Sequence, residues 1–108
     1  MTGIEYQKLA FRTVSDSGKD LGNVGLGITG EAGEVADIIK KAKYHNHELD
    51  KEHLIKELGD CLWYIALGCE LLDVSMDEVM QTNIDKLKAR YPQGFTTENS
   101  LNRKVGDI

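Results

Sequence analysis

Apolar residues recur at helical spacing almost from end to end of this chain, and proline, which breaks helices, is absent until Pro92. The alternation of apolar with polar residues that marks a half-buried strand is nearly missing. Both features predict an all-α fold. A first helix is expected over about Glu5 to Val14, with Tyr6, Leu9 and Ala10 inward, ended by the polar stretch SDSGKD. A second starts between Leu21 and Thr29 and runs to Tyr44. HNHELD then forms a turn, with Asp50 as N-cap of a third helix from Lys51 to Leu72. Ser75 and Glu78 have the spacing of a capping box, opening a fourth helix that must stop before Pro92. The polar tail after Phe95 either moves freely or docks on a partner subunit.

Length and charge narrow the possibilities. A chain of 108 residues with 41% apolar content can bury one core, so a single domain over residues 1–108 is expected. Eighteen acids against thirteen bases leave a net charge of -5, with no excess of cations to displace counterions from a phosphate backbone. Nucleic acid is therefore not expected as a partner. The N-terminal MTGIEYQKLAFR lacks an apolar signal region, and no run approaches the roughly 18 apolar residues of a membrane span, so a cytoplasmic protein without membrane contact is expected. Cys61 and Cys69 share one helical segment and would lie about 12 Å apart, too far for a disulfide, which suits two small core residues.

Four carboxylates then stand out by context. In GITGEAGEVADIIKKA the apolar stripe Ile28, Ala32, Val35, Ile38, Ile39 and Ala42 is interrupted by Glu31 and Glu34, one turn apart. Like charges at this spacing weaken a helix by a few tenths of a kcal/mol. The third helix, ELGDCLWYIALGCELL, is the most apolar element and fits the centre of a bundle or a subunit interface. It repeats the pattern with Glu57 and Asp60 among Leu58, Cys61, Leu62 and Ile65. Counting from the turn near residue 48, Glu34 and Asp60 each lie roughly 20 Å along their helix axes, so an antiparallel hairpin brings the two pairs level. An oxygen-only cage of this kind suits magnesium or manganese, and no thiolate or imidazole stands at zinc-motif spacing. The same residues also allow a solvated acidic strip, or carboxylates paired with Lys40, Lys41 or Lys56.

GEAGEVADIIKK, ELGDCLWYIA and NIDKLKARYPQGF together resemble the MazG-like branch of the all-alpha nucleoside triphosphate pyrophosphohydrolases, over about residues 21 to 96. The resemblance implies a four-helix bundle-like fold completed by oligomerisation into a dimer or tetramer. It implies magnesium, with manganese as the alternative, on an ExxE pair and an ExxD pair that fall on Glu31, Glu34, Glu57 and Asp60. The implied reaction is hydrolysis of (deoxy)nucleoside triphosphates to monophosphate and pyrophosphate, clearing unwanted nucleotides. Glu34 is assigned as the group that takes the proton of the attacking water. Many members show EExxE where this chain has Gly30, so any supporting role of that first acid is absent.

For the substrate itself, Asn83, Lys86 and Arg90 recur at helical spacing, and the resemblance maps the family's N..K...RYP pattern onto Asn83, Lys86, Arg90 and Tyr91. The alternative is a solvated face, with Lys88 and Arg90 complementing the helix dipole. Tyr64, one turn beyond Asp60, either stacks on the base or packs in the core, and Trp63 points about 100° away as an interface or core residue. GLGITG over residues 25–30 matches a dinucleotide fingerprint, but it lacks a preceding strand and sits against two acids. Its glycines instead suit close helix contact or space for substrate. His45, His47 and His53 are able to ligate a transition metal, but His45 and His47 fall in a polar turn, which favours a solvated role. The competing function is a non-catalytic helical module that binds a nucleotide or a protein.

Overall fold

Side-chain caps set where each helix begins. The computed structural model describes residues 1–108 and is all-helical, with four main helices. Thr2 accepts the Glu5 amide at 3.2 Å and starts α1 (Gly3–Phe11), two residues before the position read from the apolar pattern. The helix also ends short of Val14, because the Thr13 hydroxyl donates to the Ala10 carbonyl at 2.7 Å and closes the last turn. After a single 3₁₀ turn at Asp16–Gly18, Asp20 caps α2 (Leu21–Tyr44). At ~1.5 Å per residue this helix is about 36 Å long. Asp50 caps α3 (Lys51–Leu71), and Ser75 with Glu78 forms a complete capping box on α4 (Met76–Arg90). A short α5 (Thr97–Leu101), capped by Thr96, lies in the tail, for which the sequence predicts free movement or docking on a partner subunit.

α3 is the central element, packed against α2 along its length and against α1 and α4. The turn 45–50 reverses the chain with Asn46 in the left-handed region, φ 58°, so α2 and α3 form a hairpin. Helix contact is close where Gly68 meets Val24: a Cβ at Gly68 would stand 3.3 Å from Val24 Cγ1. Gln7 of α1 is almost wholly buried and ties three elements together. Its Nε2 donates to Glu70 Oε1 (3.1 Å) and to the Val74 carbonyl (2.9 Å), while its Oε1 accepts the Met76 amide (2.7 Å). Those bonds hold the α3–α4 turn, where Asp73 takes φ 56°.

The core of one chain is small. Ala10, Ala66, Leu67, Cys69 and Met76 are its buried apolar residues, while Cys61 is only half-buried. Two apolar stripes are left open: Ile55, Leu58, Leu62 and Ile65 on α3, and Val79, Met80, Ile84 and Leu87 on α4. The radius of gyration, 16.9 Å, exceeds the roughly 13 Å of a compact chain of this length, because α4 leans on α1 and α3 without closing over the hairpin. The tail turns back on its own chain. Arg90 donates from Nε and Nη2 to the two carboxylate oxygens of Asp107, both at 2.7 Å. No helix is long and apolar enough to cross a membrane.

Candidate metal centre

The hairpin brings Glu31 of α2 level with Glu57 and Asp60 of α3. One carboxylate oxygen from each lies within 4.8 Å of the other two. Glu31 and Glu57 are half-buried and Asp60 is exposed, so the cluster sits at a rim open to solvent. No lysine or arginine neutralises it: Lys40 and Lys41 pair with Asp37 instead, at 3.5 and 2.8 Å. The lysine pairing left open by the sequence is thus directed to a different acid. Glu34, one turn beyond Glu31, is exposed and stands outside the three-oxygen cluster. It lines a neighbouring cavity of about 530 Å³ with Asp37, Lys41, His47, Asp50 and His53.

Electrostatics show how crowded the cluster is. The Glu31 carboxyl is pushed above its ordinary range, first by a hydrogen bond to Glu57, then by burial and by the charges of Asp60, Glu57 and Glu34. Carboxylates this close repel one another unless a proton or a cation lies between them. Glu57 Oε2 is fully enclosed and has no hydrogen-bond partner, while its Oε1 pairs with His53 Nε2 at 3.2 Å. An ionised oxygen in that position is costly unless a positive charge meets it. A hard divalent cation would relieve both conditions, offsetting the crowded negative charge and satisfying the orphaned oxygen.

Beside the cluster, Glu31 and Asp60 line an open cavity of about 320 Å³ with Tyr64 and Trp63. Tyr64 lies over Gly27, whose missing side chain makes room for the ring. Of the two uses foreseen for the α2 glycines, space at this position is taken by an aromatic ring. Trp63, expected as an interface or core residue, packs against the core and also borders this cavity. Its Nε1 donates to Thr13 Oγ1 at 2.8 Å, and its ring meets Tyr64 edge-on at 4.9 Å. The signal was available, since position i+3 from Asp60 shares a helix face nearly as well as i+4. Thr13, fifty residues away in sequence, left no such trace.

The family model of the MazG nucleotide pyrophosphohydrolase domain matches residues 22–95. The chain belongs to this family. It is 36% identical over 92 residues to the Gene 37 protein of Mycobacterium phage L5, an alignment covering 82% of this chain and 81% of the phage protein. No solved structure gives a significant match. The MazG match takes in Glu31, Glu34, Glu57, Asp60 and Tyr64 but leaves out Gln7 and Thr13 of α1 and Asp107 of the tail.

The α4 residues stand apart from the acids of this MazG chain. Arg90 borders a cavity of about 440 Å³ formed with the tail, and its guanidinium is held by Asp107. Asn83 and Lys86 border another, next to Ile108. Neither cavity includes Glu31, Glu57 or Asp60. Tyr91 stacks at a tilt on Phe95, 5.2 Å between ring centres.

Proposed function

We propose that this chain is a magnesium-dependent pyrophosphohydrolase that cleaves (deoxy)nucleoside triphosphates to monophosphate and pyrophosphate, with manganese able to replace magnesium. The observation that carries the reading is the meeting of Glu31, Glu57 and Asp60 oxygens beside an aromatic wall, without any lysine or arginine to neutralise them. Glu34 is close enough to add to the field on Glu31 and completes the ligand set by a side-chain rotation. When bound, the cation supplies charge stabilisation for the triphosphate and for in-line attack of water at the α-phosphorus.

The chain's own groups divide the remaining work. Glu31, Glu57 and Asp60 would hold the cation, and Glu34 would take the proton of the attacking water. Tyr64, backed by Gly27 and by the edge of Trp63, offers a flat apolar surface for the base. Asn83, Lys86, Arg90 and Tyr91 serve the outer phosphates or sugar once a second copy closes the bundle. The open stripes on α3 and α4 support a homo-oligomer, since exposed apolar rows of this extent are uncommon on monomers.

Pyrophosphate release from a nucleotide panel, with magnesium and with chelator, tests the reading. Metal-dependent release from at least one triphosphate is expected. No release from any nucleotide at high protein concentration would leave the helical binding module as the better account.

A further inference from the structure

The metal reading uses Glu57 but gives no task to the imidazole that touches it. His53 stands in the first turn of α3, placed there by the Asp50 cap, which accepts the His53 amide at 3.0 Å. Its ring projects along the same face to Glu57, one turn on, with Nε2 3.2 Å from Oε1. With its proton on Nε2, the imidazole donates to this oxygen. The rest of the ring borders the open polar cavity shared with Glu34, and the side chain is 51% exposed. Core packing therefore does not account for its placement.

The consequence lies in the two oxygens of Glu57. A glutamate carboxylate turns easily about its last torsion, and a free one would present either oxygen to an ion, at a cost in lost freedom. Here Oε1 is engaged on the outer side by the imidazole, while Oε2 is the enclosed oxygen with no partner. We infer that His53 is a positioning residue, whose Nε2–H holds Oε1 of Glu57 so that Oε2 is presented to the cation between Glu31 and Asp60. Outer partners of this type orient ligating carboxylates, and losing one typically weakens metal binding by about 10- to 100-fold. The inference rests on the metal reading above and adds a residue that the acidic motifs do not contain.

Manganese binding to the full-length protein without nucleotide, read from the electron paramagnetic resonance signal of the free ion, separates the two ideas. His53→Ala is expected to raise the manganese dissociation constant about tenfold or more. Its metal-free melting temperature should stay near wild type, because the ring is half exposed. His53→Gln, whose amide nitrogen can reach the same oxygen, should recover most of the affinity. In pyrophosphate-release assays the magnesium concentration for half-maximal rate should rise by the same factor for His53→Ala, with nucleotide KM at saturating magnesium unchanged. Wild-type affinity in His53→Ala, or a glutamine variant no better than alanine, overturns the inference while the metal reading stands. A wild-type protein that binds no manganese overturns both.

Discussion

Alanine at Gly27 and alanine at Gly25 are the same chemical change two residues apart in one helix, and the geometry predicts opposite signs. In a helix interior, glycine to alanine gains up to ~1 kcal/mol from backbone entropy. At Gly25 a Cβ meets nothing within 4 Å, so most of that gain should appear, roughly 0.5–1 kcal/mol. At Gly27 the Cβ would overlap the Tyr64 ring, which has no flexible end to swing away. Overpacking of this kind costs about 1–3 kcal/mol, which outweighs the propensity gain and leaves Gly27→Ala about 1 kcal/mol less stable than wild type. The two variants should therefore differ by about 2 kcal/mol. Urea unfolding at a fixed protein concentration measures it as a shift of midpoint with unchanged slope. Displacing Tyr64 should also raise nucleotide KM while manganese affinity stays constant. If Gly27→Ala is stabilised as much as Gly25→Ala, the ring does not rest on that glycine, and the aromatic wall of the site has been misplaced.

Gln7→Leu removes three hydrogen bonds and strands the Val74 carbonyl and the Met76 amide at the α3–α4 turn. With about 1–3 kcal/mol for each stranded group, a loss on the order of 3 kcal/mol is expected in urea unfolding, and a loss below about 1 kcal/mol would remove Gln7 as the tie. Glu31 governs a pH dependence: its folded pKa is raised, so the native state holds the extra proton between the ordinary carboxylate pKa and the raised one. Stability of the metal-free protein should thus fall as pH rises through that window, and Glu31→Gln should flatten the slope. Thermal melts in chelator from about pH 4 to 7 check this, and an unchanged slope in the variant would show that Glu31 does not hold the proton.

The helices were legible because their signals are local. Asp50, Ser75 with Glu78, and Pro92 mark starts and stops within a few residues of the chain. The meeting of the two acidic pairs was legible only in part: counting from the turn sets Glu34 level with Asp60, whereas the structure groups Glu31 with Glu57 and Asp60 and leaves Glu34 outside. The supporting residues were not legible. Gln7, Thr13 and Asp107 act on groups 17 to 69 positions away, and no periodicity encodes such pairings. Trp63 packs against the core as expected, but its place on the cavity wall was missed because its angle was measured from Tyr64 and not from Asp60. Arg90 fits the family's pattern, yet its bidentate hold on Asp107 depends on a tail that the pattern does not include.

The central claim is that one divalent ion site lies between α2 and α3, and manganese titrated into isotope-labelled protein tests it most directly through paramagnetic loss of amide NMR signals. Signals from residues around Glu31 and from the Glu57 to Cys61 turn should vanish first and together, at substoichiometric ion, and Glu57→Gln should abolish this selectivity. Broadening that begins elsewhere, such as near Glu48 or Asp77, or that spreads evenly over the acidic surface, would contradict the account.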